Sequence, residues 1–260
     1  MYNVTVLYHD DLNFFLYPDR RNKNISLSFA GRRSVKDLIE SMGVPHVEVD
    51  IITVNGVSVD FSYIIKDGDT INVYPFSGLP GQTGILRTGL SPLNETKFVL
   101  DVHLRKLARR MRFLGFDADY EDNRGDDVLA EISRRENRIL LTCDRQLLMR
   151  KIVSRGIIVR SRDPDVQIIE VIERLNLQKL IMPFARCIEC NGIIARMEIN
   201  SPEFEQSRGY IPAGVISWCS EYFYCTACRK VYWKGSHYEK LTAELERVRS
   251  KLGDRFTLRQ

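Results

Sequence analysis

Short hydrophobic runs alternate with helical patterns from residue 97 to about residue 182. The runs "KFVL", "FDADY", "RILLT" and "IIVR" have the length and composition of strands. The segments between them, "HLRKLARRMRFLG", "DDVLAEISRREN" and "RQLLMRKIVSRG", are predicted to be helices, the last over its whole length. Strands separated by helices require right-handed crossovers, which build a parallel sheet with helices on both faces. We expect ligands to bind beyond the carboxyl ends of these strands.

Two further helices are predicted towards the end of the chain. "DPDVQIIEVIERLN" is predicted to begin with Asp163 as its N-cap and Pro164 at its first position. "YEKLTAELERVRSKL" spaces Tyr238, Leu241 and Leu245 three or four residues apart, which indicates a helix that packs on the body of the protein.

The first 75 residues have a different pattern. "YNVTVLY" and "ISLSF" are predicted strands, and "SVKDLIESMG" is a short helix with Ser34 as N-cap and Gly43 just past its end. "VEVDIITVNG", "VSVDF" and "DGDTINVYPF" follow as strands. This order is that of a ubiquitin-like β-grasp domain. We therefore predict four segments: an α+β ubiquitin-like domain (1–76), a Gly- and Pro-rich linker (77–96), the α/β parallel-sheet domain (97–182) and a cysteine-containing segment with the C-terminal helix (183–260).

Composition and charge narrow the class of protein. The chain is 44% hydrophobic and 28% charged, which is typical of globular proteins. No apolar run approaches the roughly 18 residues that span a bilayer, so we expect a soluble cytoplasmic protein without membrane contact. Residues 1–90 carry 8 Lys and Arg against 10 Asp and Glu, whereas the remainder carries 30 against 24. Five basic residues fall in "LRKLARRMR", a local charge that attracts phosphate backbones but is also typical of a solvated helix face.

Two Cys-x-x-Cys pairs stand 34 residues apart. Their spacing favours a metal site over disulfides in a cytoplasmic protein. Four thiolates leave no open position on a zinc ion, so we predict a structural zinc ribbon. A redox dithiol and unliganded thiols are the alternatives. The predicted ligands are Cys187, Cys190, Cys225 and Cys228.

Aspartates follow two of the predicted parallel strands. Asp101 comes after "FVL", Asp144 comes after "ILLT", and Asp126 opens the helix between them. Three converging carboxylates raise one another's pKa, and a bound Mg²⁺ or Mn²⁺ removes that conflict. The alternative is that each aspartate caps a helix, since Asp is a favoured N-cap. For any one of them alone, capping is the better explanation, but their joint position after two strands favours a metal site.

An arginine stripe follows Asp101. Arg105, Arg109 and Arg112 lie on one helix face, and guanidinium groups bind phosphate in a bidentate manner. Ordinary surface ion pairs are the alternative. Arg145, directly after Asp144, is expected either to contact phosphate or to orient the carboxylate.

These motifs together resemble a known family. "FVLDVHLRKLARRMRFLGFDADY", "DDVLAEISRRENRILLTCDRQLL" and the paired cysteines with "YWKGSHY" resemble the PIN-like ribonuclease domain named after the C-terminal part of the mutator-seven exonuclease. "SVKDLIESMGVPHVEVD" and "DGDTINVYP" resemble the ubiquitin-like domain that often precedes it.

The resemblance implies a metal-dependent ribonuclease with its acidic site at Asp101, Asp126 and Asp144. PIN domains often use a fourth acidic residue, for which Asp163 is the candidate. RNA is the expected substrate, and a protein partner is expected to bind through the ubiquitin-like domain. An RNA-binding adaptor without strong catalysis is the alternative. A sulfur carrier is disfavoured, because "VYPFSGLPGQTG" has no terminal diglycine.

Overall fold

The computed structural model describes residues 1–75 and 97–253, with only the backbone of His237. The predicted linker lies outside the described residues. Two compact units are formed: Met1–His103 with Asp122–Arg160, and Leu104–Glu121 with Ser161–Gln260. The first contains the predicted ubiquitin-like domain and most of the predicted parallel sheet. The domain boundaries predicted at residues 76, 96 and 182 stay predictions.

The N-terminal part of the first unit is a five-stranded sheet with one helix, as predicted. Its elements are β1 (Tyr2–Tyr8), β2 (Ile25–Phe29), α1 (Val35–Ser41), β3 (Val49–Val54), β4 (Val57–Val59) and β5 (Thr70–Pro75). The strand order is β2-β1-β5-β3-β4. Only β1 and β5 are parallel, and they lie side by side within the sheet. This is the β-grasp arrangement.

Local sequence explains the ends of these elements. Ser34 and Asp37 form a capping box at the start of α1, in which the Ser34 hydroxyl accepts a hydrogen bond from the Asp37 amide at 3.1 Å. Asn55 and Gly56, between β3 and β4, have φ values of 52° and 84°. Such left-handed pairs match the twist of a two-residue hairpin. The helix cap and the hairpin were both predictable from residue type.

The predicted alternation of strands and helices from residue 97 is confirmed. The elements are β6 (Lys97–Leu100), α2 (Arg105–Phe113), β7 (Asp117–Asp119), α3 (Asp126–Glu136), β8 (Ile139–Thr142), α4 (Arg145–Leu148), β9 (Gly156–Ile158) and α5 (Pro164–Arg174). In the first unit β8 pairs in parallel with both β6 and β9, with Leu100 opposite Leu141 and Thr142 opposite Ile158. The parallel sheet is therefore as expected.

Helix α4 is much shorter than predicted. It ends at Leu148, and the amides of Met149 and Arg150 bond to the carbonyls three residues before them. These tight bonds close the helix, because the chain has only a few residues in which to reach Gly156 at the start of β9. The prediction that "RQLLMRKIVSRG" is helical throughout is wrong beyond its first turn.

One hydrophobic cluster extends through both parts of the first unit. Val6 and Ile52 of the β-grasp sheet belong to the same buried cluster as Leu140 and Val153 of the parallel-sheet segment. A one-turn 3-10 helix at His46–Glu48 lies against β9. There the Glu48 carboxylate, 3% exposed, accepts a hydrogen bond from the Ile158 amide at 2.6 Å. The β-grasp domain is thus an integral part of this unit.

The second unit holds both cysteine pairs and the C-terminal helix. Its later elements are β10 (Ile194–Met197), α6 (Pro202–Ser207), α7 (Ala213–Ile216), β11 (Tyr222–Cys225), β12 (Val231–Trp233) and α8 (Ser236–Leu252). Strands β10, β11 and β12 form an antiparallel sheet. Leu245, Val248 and Leu252 are buried, as the spacing in α8 predicted.

The gap between the cysteine pairs is folded. Met197, Phe204, Ile211, Cys219 and Tyr222 form a small separate core. Cys219 is buried in that core, and its thiol bonds to the Glu221 carbonyl at 3.3 Å. Helices α6 and α7 carry no periodic signal, because each has only a few residues.

Candidate functional site

Asp101 and Asp144 are joined through one buried hydroxyl. Asp101 follows β6 and Asp144 follows β8, so both lie at the carboxyl ends of paired parallel strands. The Thr142 hydroxyl donates to Asp101 Oδ2 at 2.7 Å and accepts from the Asp144 amide at 2.9 Å. Thr142 is fully buried. The strand-end relationship predicted from the sequence is therefore present, and Thr142 is the residue that the sequence analysis missed.

The Asp101 carboxylate is buried among neutral donors. Its side chain is 6% exposed, and Oδ1 accepts a hydrogen bond from the His103 amide at 3.2 Å. Across the described parts of the chain, no cationic side chain pairs with it. A buried carboxylate without a cation is costly, so the donor chemistry of Asp101 fits a hard divalent cation.

Asp144 is exposed and also caps a helix. Its Oδ1 accepts a hydrogen bond from the Gln146 amide at 2.7 Å at the start of α4. The capping explanation is thus correct for this residue, and the cap bond engages one of its two carboxylate oxygens. A cap and a metal ligand are compatible roles for one carboxylate.

Asp126 contacts an arginine. It lies in the first turn of α3, whose N-cap is Gly125, and its Oδ2 is 3.6 Å from Arg150 Nη2. Asp127 forms a closer ion pair with the same guanidinium. Within the described residues, Asp101, Asp126 and Asp144 are not close enough to one another to share a cation as a group of three. Joint metal binding by them stays a prediction.

Asp163 is the N-cap of α5 in the second unit. Its Oδ1 accepts a hydrogen bond from the Asp165 amide at 2.9 Å, with Pro164 in the first position. This confirms the predicted cap. The fourth acidic role implied by the family resemblance stays a prediction.

The predicted arginine stripe divides into different environments. Arg112 is 4% exposed, and its guanidinium donates to the carbonyls of Ala118 at 2.8 Å and Glu189 at 2.6 Å. Arg109 makes a bidentate pair with the Glu189 carboxylate at 2.8 and 3.1 Å. Arg105 is exposed. Arg112 therefore stabilises the fold, and we leave it out of the proposed RNA contacts.

Arg145 is turned towards the β-grasp part of its own unit. Its Nη1 lies 3.5 Å from the Phe15 carbonyl oxygen, and the side chain is exposed. The predicted phosphate contact of Arg145 stays a prediction.

The four cysteines form one cluster in the second unit. All four sulfurs lie within 4.8 Å of one another, with Cys187 and Cys228 at 3.7 Å and Cys190 and Cys225 at 3.4 Å. Tetrahedral zinc with bonds of about 2.3 Å needs sulfurs about 3.8 Å apart. The cluster therefore fits a zinc ion, and it is the one such ligand group found among residues 1–75 and 97–253.

Both cysteine knuckles have the same backbone geometry. The amide of Asn191 bonds to the Cys187 carbonyl at 2.9 Å, and the amide of Arg229 bonds to the Cys225 carbonyl at 3.0 Å. Asn191 and Arg229 both have positive φ, at 69° and 62°. Each knuckle is thus a tight turn that aims its two thiols at one point. Gly192 is required beside them, because a Cβ there would lie 2.7 Å from Cys225 Sγ.

A tyrosine supports the cluster from outside. The Tyr232 hydroxyl lies 3.0 Å from Cys187 Sγ. Burial, and then the neighbouring Cys187, raise the pKa of Tyr232 well above its usual value. The phenol therefore keeps its proton, and it would donate a hydrogen bond to Cys187 Sγ when that sulfur is a zinc-bound thiolate. Such outer contacts orient metal ligands.

Comparisons with known proteins agree with this architecture. Residues 96–245 match the family model described as the Mut7-C RNAse domain, and residues 1–78 match the Mut7-C ubiquitin model. No curated protein and no solved structure matches the chain. Among the described helices, none has both the length and the apolar character needed to cross a membrane. The chain belongs to the Mut7-C RNAse domain family and carries a Mut7-C ubiquitin domain in residues 1–78.

Proposed function

We propose that this protein is a divalent-metal-dependent ribonuclease whose carboxylate site includes Asp101, Asp126 and Asp144. The observation that carries the proposal is the Asp101–Thr142–Asp144 arrangement at the ends of two parallel strands. The family match supports RNA as the substrate class. Asp163 is kept as the candidate for a fourth acidic position and carries no part of the argument.

The two strand-end carboxylates have different roles. Asp101 is fixed by the Thr142 hydroxyl and the His103 amide, so it offers a rigid ligand for Mg²⁺ or Mn²⁺. Asp144 is exposed, and we assign it to orienting the attacking water and accepting its proton. When bound, the cation polarises the phosphodiester and stabilises the leaving oxygen. Attack on phosphorus breaks one P–O ester bond, and the leaving oxygen takes up a proton.

Asp126 joins the site by releasing Arg150. Its present contact at 3.6 Å is long, and Arg150 keeps Asp127 as its closer partner. The Asp126 carboxylate is therefore exchangeable, and substrate or metal binding is expected to draw it away from Arg150.

The proposed contacts with RNA, a protein partner and zinc follow from the exposure and chemistry of the side chains. Arg105 and Arg145 are exposed and are proposed to contact RNA phosphate. A protein partner on the ubiquitin-like domain is proposed to use a surface other than His46–Glu48, because that segment already contacts β9 of the same unit. The cysteine cluster is proposed to hold structural zinc, with no open position for substrate.

The test is cleavage of end-labelled single-stranded and hairpin RNA by zinc-loaded protein. Mn²⁺, Mg²⁺ and no added metal are compared, with Asp144→Asn alongside the wild type. Asn is as good an N-cap as Asp, so the variant should fold. Glu131→Gln is the matched control, since it removes a carboxylate charge on α3 at a residue that pairs with the exposed Arg134.

Metal-dependent product that is lost in Asp144→Asn and kept in Glu131→Gln is the expected result. Binding of RNA without product in any metal would favour the adaptor function. Equal cleavage by both variants would assign Asp144 to helix capping alone.

A further inference from the structure

The second unit contains an aromatic cavity of about 520 Å³ that the proposed cleavage chemistry does not use. One wall comes from α2, the segment after α5, and α8. There Phe184 packs edge-on against Phe113 at 5.2 Å and stacks on Tyr238 at 4.8 Å between ring centroids. Tyr232 and Trp233 of β12 also line the cavity.

These rings are positioned to accept a ligand. Three aromatic residues line the cavity and are only half-buried, so part of each side chain is accessible: Phe184, Tyr238 and Trp233. The polar residue Ser236 also lines this space. The volume lies in the range of small-molecule pockets. The cavity therefore offers planar apolar faces together with a few hydrogen-bonding groups.

The lining contains more cations than carboxylates. Its charged residues are Arg109, Arg186, Lys230, Lys234 and Glu189. Arg186 and Lys234 are already balanced, because they pair with Asp117 and Glu221 outside the lining. Glu189 is shared by two of the cations, because Arg109 approaches it at 2.8 Å and Lys230 at 3.1 Å. This group of three keeps one net positive charge.

One cation of this group is left for an anionic ligand. Arg109 and Lys230 bond to the same carboxylate, and one carboxylate can balance only one of them.

The two features together select one chemical class. An uncharged planar ligand would leave the cations unused, and a simple anion would leave the aromatic walls unused. A nucleotide has a base that stacks on aromatic rings and a phosphate that binds Lys and Arg. Sequence-tolerant binding of single-stranded nucleic acid uses this combination.

We propose that this cavity binds one nucleotide of single-stranded RNA, with its base against Tyr238 and Trp233 and its phosphate at Arg109 and Lys230. The choice of RNA as the polymer rests on the proposed function. The cavity itself needs neither the aspartates nor a catalytic metal.

The experiment uses tryptophan fluorescence of the full-length, zinc-loaded protein. The two tryptophans are Trp218, 59% exposed, and Trp233 in the cavity wall. In a Trp218→Phe background, Trp233 alone reports binding. The probes are an eight-nucleotide oligoadenylate, adenosine 5′-monophosphate and inorganic phosphate, with no Mg²⁺ or Mn²⁺ present. Saturable quenching is expected from the oligoadenylate and much weaker binding from the monophosphate.

Two matched pairs of variants distinguish binding of the base from binding of the phosphate. Tyr238→Leu removes the aromatic face and should weaken binding by roughly 5- to 100-fold, whereas Tyr238→Phe keeps stacking and should bind as the wild type does. Lys230→Gln should lower the salt dependence of log Kd by about one unit of slope. Lys251→Gln makes the same charge change on α8 outside the cavity and should leave the slope unaltered.

Several results would overturn the proposal. These are no quenching by the oligoadenylate, equal quenching by inorganic phosphate, and equal affinity of Tyr238→Leu and wild type with zinc content and circular dichroism unchanged. Equal affinity for the monophosphate would overturn the assignment to RNA. Because no catalytic metal is present, failure here leaves the cleavage proposal standing, and an inactive aspartate site leaves this one standing.

Discussion

The Glu48 carboxylate receives the backbone amide of Ile158 at 2.6 Å, more than a hundred residues away in the chain. Ile158 ends β9, which is the last strand on its side of the parallel sheet. The carboxylate accepts this hydrogen bond as the carbonyl of a neighbouring strand would. Glu48 thereby stabilises the edge of the sheet.

We expect Glu48→Ala to destabilise the protein by about 2 kcal/mol, because a buried amide loses a charged acceptor. Glu48→Gln keeps a carbonyl acceptor and should recover part of that loss. Urea unfolding followed by circular dichroism measures both. Glu131→Ala is the surface control, since its pair with Arg134 is exposed, and should leave the free energy of unfolding close to that of the wild type. A Glu48→Ala variant as stable as this control would contradict the assigned role.

Thr142 is expected to act as a positioning residue for the carboxylate site. Thr142→Val keeps the shape of the side chain but removes the hydroxyl that joins Asp101 to Asp144. We expect RNA cleavage to fall roughly 10- to 100-fold, as for other outer contacts of metal ligands. The metal concentration for half-maximal rate should rise, which a purely structural defect would not produce. Thr142→Ser retains the hydroxyl and should stay near wild type.

The cysteine cluster should hold one zinc ion per chain. Cys228→Ser is expected to lose that metal and the folded β10–β12 sheet with it, because zinc binding supplies folding free energy. Cys219→Ser is the matched control, because its thiol belongs to the small core formed between the two cysteine pairs and lies outside the ligand cluster. The zinc content per chain of both variants is measured after gel filtration. Zinc retained in Cys228→Ser at wild-type stoichiometry would exclude the four-thiolate site.

Gly192 tests the same site through shape alone. In Gly192→Ala the added Cβ would lie 2.7 Å from Cys225 Sγ and 2.8 Å from the Ala227 Cβ. We expect weaker zinc retention against a competing chelator. Gly214→Ala meets no atom within 4 Å and lies in helix α7, so it should retain zinc as the wild type does. Identical chelator competition by the two variants would show that the knuckle tolerates a side chain at Gly192.

His46 should make stability depend on pH. Burial and the Lys36 ammonium lower the pKa of His46, against the Glu40 carboxylate 2.7 Å from Nδ1, which raises it. The folded state therefore resists protonation. The contribution of neutral His46 to the free energy of unfolding should be fully present above a pH of about 6.5, the pKa of histidine in the unfolded chain. It should decline as the pH falls towards the lower pKa of the folded state.

Ring-proton NMR titration checks this directly. Lys36→Gln is expected to raise the pKa of His46 and Glu40→Gln to lower it further. A His46 pKa above 6.5 in the wild type would reverse the predicted pH dependence.

The strand and helix pattern was predictable, but the side-chain environments were not. The strand-end positions of Asp101 and Asp144 follow from periodicity and topology, as does the pairing of Cys-x-x-Cys motifs. Helix periodicity placed Arg112 on a stripe with Arg105, yet Arg112 is buried by carbonyls that lie far along the chain, including that of Glu189. Contacts between residues this far apart in the chain cannot be predicted from the local sequence.

The helices that were missed or predicted too long are all short. Helices α6 and α7 and the shortened α4 are only four to six residues long, below the length at which apolar periodicity is visible. Thr142 was missed for another reason: a threonine in a strand carries no signal of the partners its hydroxyl will find.

The division of the chain into two discontinuous units bears on how it is made. The first unit is interrupted by residues 104–121, which belong to the second. During synthesis, the ribosome must therefore deliver those 18 residues of the second unit before the first has received its last segment, ending at Arg160. Neither unit can be obtained free of residues of the other by stopping translation at one point or by trimming one end of the gene.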